Sequence, residues 1–458
     1  MRKMNMNVKY AICLLAGLVS VSVQAKTVLE RTLFLGVSPV TAEEGEGVEV
    51  QSMHPAGTGV VLGLESGDVI KAVNGESVAD FSSLVNVLGK ITEGQKLVVK
   101  VERDNTEVAL TGKAQSRPKE AGEGYQVEYG EFDWQDNHIR TITYHPASPR
   151  KDKAAVMFIQ GYTCGSIDYG MAPEITITQL LATYAQAGFT VFKMEKPGVG
   201  DSKGPLECSQ IDFDTENAAF IAGLKHFASY DYVNQDNLFV FGHSLGVLHA
   251  GVIAEKGLVK GVMGYGGVLK SWYEYLQDIY AIQSVRYFGT SESQAKANVK
   301  TVQPFLDAWL NSDKSWESLM AQDDVKQAVT SNLLPIQGEL VFQRHYSFFR
   351  SLNRYDFKAL WSNSQSHALL LHGTYDIQAI DGAWAGHIAE LINSNTDKTA
   401  QAEMFPRTEH ALMRYDELAD LQQAMREGEN RAGSPGDKYN PDIALRSLAW
   451  MKTILQQH

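Results

Sequence analysis

The stretch of residues 238–246 constrains the fold of this chain more than any other. It reads Leu-Phe-Val-Phe-Gly-His-Ser-Leu-Gly, an apolar run that ends in a G-x-S-x-G turn. The run favours a buried strand, and the small aliphatic residues 247–255 favour a buried helix. Gly242 and Gly246 stand where a side chain would clash with the neighbouring strand and helix. Ser244 would then lie at the tip of a sharp, strained turn with its hydroxyl exposed, which makes it a candidate nucleophile rather than a loop serine.

Two later strand-like runs end in an acid and in a histidine. Residues 368–376 lead to Asp376, and residues 402–410 lead to His410. A serine nucleophile needs a base that accepts its proton and a carboxylate that orients and stabilises that base. The order along the chain therefore predicts a catalytic set of Ser244, Asp376 and His410.

Other acids and histidines compete for these two roles. Asp376 follows its predicted strand directly, which favours it over the nearby Asp381. His372 precedes the acid and His387 falls in a predicted helix, so both fit the order poorly as the base. His243, inside the turn, is expected to pack rather than to react.

Five motifs occur in a fixed order along the second part of the chain. They are Gln160-Gly161-Tyr162, Lys196-Pro197-Gly198-Val199-Gly200-Asp201-Ser202, the Ser244 turn, His372-Gly373-Thr374-Tyr375-Asp376 and Glu409-His410. In this order they resemble the α/β-hydrolase superfamily, over about residues 125–458. The resemblance implies an α/β fold with a mostly parallel sheet, helices on both faces and a helical cap inserted at about residues 270–366.

The resemblance also implies an oxyanion hole, which needs two backbone N–H groups. By position these belong to Tyr162 and Leu245, although glutamine stands at position 160 where the family has histidine. Asp201 is expected to have a structural role. The aromatic residues of the cap are expected to form the core of the cap, because they recur at helical spacing.

Residues 30–115 lie too far upstream to belong to this sheet. The run Gly63-Leu64-Glu65-Ser66-Gly67-Asp68-Val69-Ile70-Lys71-Ala72-Val73-Asn74-Gly75 resembles a PDZ domain of the bacterial periplasmic-protease type. The resemblance implies that the amides of Leu35, Gly36 and Val37 hold the terminal carboxylate of a peptide or protein partner. Two interpretations stay open, a domain that binds peptide and one that only packs on the hydrolase.

Residues 116–124 join the two units. Few of these residues are apolar, and this composition predicts a flexible hinge. Every catalytic motif lies beyond this linker. We therefore expect the PDZ-like domain to recruit a partner rather than to take part in the chemical step.

The first 25 residues predict the compartment. Arg2, Lys3 and Lys9 precede an apolar run over residues 10–23, and small residues follow up to Ala25. This pattern is typical of a secretory signal peptide, and the run is too short to span a bilayer comfortably. The sequence therefore predicts a periplasmic or secreted protein without a stable membrane anchor.

Charge and cysteine content narrow the partners further. Cleavage after Ala25 removes three positive charges, so the formal net charge falls from −13 to −16, which argues against nucleic acid as a partner. The twelve histidines show no metal-ligand spacing, so no metal and no cofactor are predicted. Of the three cysteines, Cys164 and Cys208 remain, in loops expected at the same edge of the sheet. A disulfide is predicted, with two free thiols as the alternative.

Three functions remain compatible with the sequence. A serine hydrolase acting on carboxylic esters through an acyl-enzyme is the first choice, and a serine peptidase uses the same machinery. A peptide-binding adaptor that has lost activity is the third, against which the complete order of nucleophile, acid and base argues.

Overall fold

The computed structural model describes residues 29–40, 47–428 and 436–457. The predicted signal peptide lies outside these ranges. Within them, the helices are all too short or too polar to cross a membrane.

The first unit is a small domain built on an antiparallel sheet of order β1-β2-β3-β5-β6, with β4 paired to β3. In β5 the side chains of Leu97, Val99 and Val101 are buried and their neighbours face outward, the alternation of a sheet with one covered face. Asp80 caps α2, since its carboxylate accepts from the Ser83 amide at 2.7 Å. The elements are β1 (Val37–Val40), β2 (Val48–Met53), α1 (Thr58–Leu62), β3 (Val69–Val73), β4 (Glu76–Ser77), α2 (Phe81–Leu88), β5 (Lys96–Arg103) and β6 (Thr106–Lys113).

The second unit is built on a mixed eight-stranded sheet of order β17-β16-β12-β11-β9-β10-β8-β7. The strand β8 is antiparallel to both of its neighbours, β7 and β10, and all other neighbouring strands are parallel. The central strands are buried along their whole length, as expected where helices cover both faces. This order is that of the α/β-hydrolase fold, so the expected fold class is confirmed. The strands are β7 (Tyr125–Trp134), β8 (Asn137–Pro146), β9 (Ala155–Ile159), β10 (Thr190–Met194), β11 (Leu238–His243), β12 (Gly261–Tyr265), β16 (His367–Gly373) and β17 (Ala400–Phe405).

Helices cover the two faces of this sheet. One apolar core forms where α3 and α15 pack on the sheet, and the other where α4, α5, α12 and α13 pack on the opposite face. The helix α5 is buried nearly all round, because it packs on β9, β11 and β12 of the sheet and also contacts the helices α4 and α12. The helices on the two faces are α3 (Thr176–Gln186), α4 (Phe213–Ala228), α5 (Gly246–Glu255), α12 (Phe357–Ser362), α13 (Ala383–Asn395) and α15 (Asp442–Ile454). A further helix, α14 (Leu418–Glu427), packs in a separate apolar cluster with Tyr287 of the cap.

The cap lies between β12 and β16 and is mostly helical. It differs from the expectation in two respects: it contains three two-residue strands, and α12 packs on α5 and α13 in the helix layer of the sheet rather than in the cap. The cap elements are α6 (Trp272–Asp278), a π-helical turn (Ile279–Gln283), α7 (Ser284–Phe288), α8 (Glu292–Leu310), α9 (Trp316–Met320), α10 (Asp323–Thr330), β13 (Ile336–Gln337), β14 (Leu340–Val341), β15 (Arg344–His345) and α11 (Tyr346–Asn353).

The linker is anchored to the second unit, and the expectation of a flexible hinge is wrong. Glu120 is buried, and its carboxylate lies 2.6 Å from the Lys193 ammonium of β10. The same carboxylate accepts from the Tyr169 amide at 2.6 Å and from the Tyr144 hydroxyl. Although the linker has few apolar residues, Glu120 fixes the linker to the second unit. Glu120 neutralises the buried Lys193, and leaving that lysine unpaired would be costly.

The first unit also contacts the second directly. Arg31 Nη2 lies 2.7 Å from Asp168, and the Thr32 amide donates to Asp201 Oδ1 at 2.9 Å. Lys203, in the same loop as Asp201, donates to the Gly89 carbonyl beyond α2 at 3.3 Å. The first unit therefore packs against the loop after β10. The role of Asp201 in the structure is to form part of this contact.

Cys164, after β9, and Cys208, in the loop after β10, are joined by a disulfide with their Cα atoms 5.8 Å apart. The bond links two loops at the carboxyl edge of the parallel strands.

We predict that Glu120→Ala lowers the free energy of unfolding by about 3–5 kcal/mol, because it leaves the ammonium of Lys193 buried without its partner. Urea unfolding measures this loss. Glu123→Ala, at an exposed position of the same linker, is the control and should change stability by less than about 0.5 kcal/mol. Equal effects of the two substitutions would contradict an anchored linker.

Candidate active site

The turn between β11 and α5 holds Ser244 in a left-handed backbone conformation, with φ 58°. Two glycines make this turn sterically feasible. A Cβ on Gly242 would lie 2.3 Å from the Gly246 carbonyl oxygen, and a Cβ on Gly246 would lie 2.3 Å from the Ile159 carbonyl oxygen. The helix can therefore approach β9 and β11 only because both positions lack side chains. The Ser244 amide donates to the Tyr265 carbonyl at 2.8 Å, which fixes the turn against β12.

Asp376 and His410 follow the neighbouring strands β16 and β17, and the structure brings them together. His410 Nδ1 lies 2.9 Å from Asp376 Oδ2 and 3.0 Å from Oδ1. Since a carboxylate only accepts, Nδ1 carries the proton and Nε2 is the basic atom. A Cβ on Gly266 would lie 2.8 Å from both side chains, so the pair also needs a glycine beside it.

His410 Nε2 is buried and has no hydrogen-bond partner among the described residues. Ser244 and His410 line the same cavity. A buried basic nitrogen without a partner, on a residue that lines the same cavity as a serine, is suited to accept the serine proton once a substrate is bound.

The charges of the pair stabilise each other. Burial by itself would lower the pKa of His410, but the attraction of the Asp376 carboxylate outweighs burial and raises that pKa above 6.5. Burial by itself would raise the pKa of Asp376, and the charge and hydrogen bond of His410 outweigh it, so that pKa is lowered. The imidazolium that forms during proton transfer is thereby stabilised.

The competing residues lie elsewhere. Asp381 accepts from the Ala383 amide at 3.0 Å, at the start of α13. His372 Nδ1 accepts from Trp384 Nε1 at 2.8 Å, and His387 is exposed on α13. No group of three or more histidine, cysteine or acidic side chains that could hold a metal occurs in the described part of the chain.

Two residues beside the base have contacts that sequence reasoning missed. His243 Nε2 donates to the His410 carbonyl at 2.8 Å, and burial lowers the pKa of His243 to about 4, so it stays neutral. Glu409 accepts from the Met413 amide at 3.0 Å, and burial raises its pKa to about 7. The expectation that His243 only packs did not include this bond, because no local pattern shows which backbone a side chain will meet 167 residues away.

The turn after β9 lies directly against the serine. A Cβ on Gly161 would be 3.1 Å from the Ser244 Cβ and 3.4 Å from its Oγ. Tyr162 and Leu245 both line the cavity of Ser244. Neither of their backbone N–H groups has an acceptor among the described residues. The two amides are therefore free to receive a developing negative charge.

Apolar and aromatic side chains line the rest of the cavity. From the cap, Trp272 and Tyr275 lie on one face of α6, and the Tyr275 hydroxyl donates to the Gln378 carbonyl at 2.8 Å. In the sequence, only the spacing of three between these two aromatic residues indicated that they share a helix face. The same spacing also fits the core of the cap, and Trp309, another aromatic residue of the cap, does lie in that core. The lining residues are Tyr162, Ser244, Leu245, Leu248, Gly266, Gly267, Val268, Trp272, Tyr275, Gln378, Ala379 and His410.

In the loop of the first unit that is predicted to bind a carboxylate, the backbone carbonyls already accept hydrogen bonds. The Phe34, Leu35 and Gly36 carbonyls accept from the backbone amides of Thr58, Gly59 and His54 at 2.7–2.9 Å. Gly36 has φ 75°, and no acceptor for the Leu35 or Gly36 amide is found in the described ranges. Val37 begins β1 and pairs with Met53.

Residues 34–113 match the PDZ domain family, which confirms the resemblance found in the first unit. The chain thus combines a PDZ domain with an α/β-hydrolase fold. No curated protein matches the chain.

Among solved structures, Est1E from Butyrivibrio proteoclasticus with bound ferulic acid is similar at 14% identity and a TM-score of 0.40, over 65% of this chain and 96% of that one. A proline iminopeptidase from Mycobacterium smegmatis is similar at 12% identity and a TM-score of 0.41, over 71% of this chain and 98% of that one. An esterase of Pyrococcus furiosus is similar at 13% identity and a TM-score of 0.42, over 74% of this chain and 96% of that one.

We predict that kcat/KM of the wild type falls at low pH with a midpoint above that of an ordinary histidine, because the pKa of His410 is raised and only neutral imidazole accepts the serine proton. Asp376→Asn should move this midpoint to lower pH and reduce kcat about 10⁴-fold. The pH profile of kcat/KM on one chromogenic ester measures both. Asp381→Asn, an exposed acid in the same loop, should leave the profile unchanged, and an unshifted midpoint in Asp376→Asn would refute the pairing.

Proposed function

We propose that this protein is a serine hydrolase that acts on uncharged carboxylic esters. The observation that carries the proposal is the buried Asp376–His410 pair, whose free Nε2 shares a cavity with Ser244. Ser244 Oγ attacks the ester carbonyl while His410 Nε2 takes its proton. The Tyr162 and Leu245 amides hold the oxyanion, the protonated His410 gives its proton to the leaving alcohol, and water then hydrolyses the acyl-enzyme by the same route.

The lining of the cavity supports an ester over a peptide with a free amino terminus. No carboxylate is among the residues that line it. Binding an ammonium group there would bury a charge without a partner, which costs several kcal/mol. An uncharged acyl group against Trp272, Tyr275 and Leu248 carries no such penalty.

The size of the cavity supports a short acyl chain. Its volume is about 50 Å³, whereas drug-sized ligands occupy pockets of about 300–1,000 Å³. Trp272 stacks on Phe349 with ring centroids 4.6 Å apart and so is held in place by the cap. Longer acyl chains would have to displace this ring.

For the PDZ domain we propose binding of a peptide or protein C-terminus, with the carboxylate at the Leu35, Gly36 and Val37 amides. The unoccupied amides of Leu35 and Gly36 support it. The signal-like sequence of residues 1–25 supports a periplasmic or secreted location for the whole protein.

A fluorophosphonate probe tests the hydrolase proposal, because it reacts only with an activated serine. The wild type should be labelled at Ser244, and Ser244→Ala should lose labelling and about 10⁶-fold in kcat. Ser209→Ala, which lies outside this cavity, should label like the wild type. An unlabelled, folded wild type would indicate a non-catalytic adaptor, and turnover of aminoacyl anilides in preference to esters would indicate a peptidase.

We predict that the wild type prefers p-nitrophenyl acetate to the octanoate, and that Trp272→Ala shifts the ratio of their kcat/KM values towards octanoate by about 10-fold or more, since each extra methylene in an apolar pocket contributes about 1–3 kcal/mol. Trp316→Ala is the matched control, because this partly buried cap tryptophan packs on Tyr346 and does not line the cavity. A ratio that changes equally in both variants would contradict a pocket limited by Trp272.

A further inference from the structure

Four charged or titratable side chains form a fully buried group beneath the turn after β9. We call it the Glu216 cluster: Glu216 of α4, Lys196 after β10, Arg344 of β15 in the cap and His249 of α5. Lys196 Nζ lies 3.0 Å from Glu216 Oε1, Arg344 Nη2 lies 2.8 Å from Oε2, and His249 Nε2 lies 3.2 Å from Oε1. The side chains of all four are at most 1% exposed.

The two cations of the cluster each hold a second acceptor, and both acceptors are carbonyls of the predicted oxyanion turn. Lys196 Nζ donates to the Gly161 carbonyl at 2.7 Å. Arg344 Nη1 donates to the Tyr162 carbonyl at 2.6 Å. The carbonyls on either side of the Tyr162 Cα are therefore fixed by two different cations.

The planarity of the peptide group makes these bonds relevant to the Tyr162 amide. The Gly161 carbonyl and the Tyr162 N–H belong to one trans peptide and point in opposite directions. Lys196 holds the carbonyl on its own side, so the N–H is directed away from Lys196. Gly161, in the same peptide group, lies against Ser244. Arg344 fixes the next peptide plane and so prevents the turn from rotating about the first.

The second proposed donor is connected to the same cluster. Leu245 precedes α5, and His249 lies one turn further along that helix, where it contacts Glu216. The Glu216 carboxylate thus touches groups that hold both halves of the hole, the turn after β9 and the helix after Ser244.

We propose that Lys196 and Arg344, paired through Glu216, are positioning residues that set the geometry of the oxyanion hole. This inference rests on the proposed function. None of the three touches the cavity, so they act through the backbone of Gly161 and Tyr162. Because Arg344 belongs to the cap, the hole is complete only when the cap is in place.

Energetics favour a role beyond stability for the cluster. Burying ions costs several kcal/mol each, and a well-packed apolar set of the same volume is often as stable or more stable. Burial by itself would raise the pKa of Glu216, but Lys196 and Arg344 lower it to about 2, and burial lowers the pKa of Lys196 to about 8. Glu216 and Lys196 are therefore charged at neutral pH, and a charged donor makes the stronger hydrogen bond to a carbonyl.

The test compares Lys196→Met with Lys193→Met. Lys193 lies three residues earlier on β10, is equally buried, and also bridges a glutamate and a carbonyl, but that carbonyl belongs to Ile167. The two variants remove the same group at similar burial, and only one touches the turn. Thermal unfolding monitors the stability of both, and fluorophosphonate titration counts the active sites.

Two kinetic readouts separate positioning from a general structural effect. The first is kcat per titrated site on p-nitrophenyl acetate, and the second is the inhibition constant of a short trifluoromethyl ketone, to which Ser244 adds to place an oxyanion in the hole. Lys196→Met should lower kcat by about 10²-fold with little change in KM, as for a misplaced donor. The inhibition constant should rise in proportion, and Lys193→Met should retain both values within about threefold.

Arg344→Lys is the second variant, and it applies even if Lys196→Met fails to fold. It keeps a positive charge beside Glu216 but cannot span Glu216 and Tyr162 with two separate N–H groups. It should lower kcat and weaken the ketone together, by less than Lys196→Met. If either folded variant keeps both values at the wild-type level, the inference is overturned. A wild type that neither turns over the ester nor binds the ketone refutes the proposed function instead.

Discussion

The close approach of α5 to the carboxyl ends of β9 and β11 is the constraint on which the rest of the second unit depends. It brings Gly242 and Gly246 into direct backbone contact and forces Ser244 to a positive φ. β9 and β11 are neighbours in the sheet, while the chain between them leaves to form β10 on the far side of β9. A crevice opens where the strand order reverses in this way, and the serine stands at its edge.

The parts of the fold that local sequence determines could be predicted. Strands such as β9 and β12 are buried on both faces, so they stand out as apolar runs, and the α/β-hydrolase fold and the PDZ domain are confirmed. Asp376 could be located because it follows such a strand, β16, within three residues. His410 follows the shorter and partly exposed edge strand β17, and it could be located because parallel strands end at the same edge. The structure places these two side chains in contact, and their catalytic role stays a prediction until it is tested.

Contacts between distant polar residues could not be predicted. The composition of the linker predicts a solvated hinge. Only the position of Lys193 in the folded structure shows that Glu120 has a buried partner. Arg344 and Tyr162 are 182 residues apart, and no periodicity connects a cap strand to the turn after β9. Charged side chains are mostly exposed, so a sequence gives no reason to place one in the interior until its counter-charge is known.

The segment that follows β10 is where these unpredicted contacts meet. Lys196 holds the Gly161 carbonyl, and five residues later Asp201 accepts from Thr32 of the first unit. Thr32 lies only three positions before Leu35 of the predicted carboxylate loop, so one short stretch contains both the contact with the second unit and the amides proposed to bind a carboxylate. Removing the whole domain would therefore expose Asp201 and confuse loss of docking with loss of peptide binding. Recruitment of a partner is therefore better tested by substitutions in the predicted carboxylate loop, which do not remove the contact of Thr32 with Asp201.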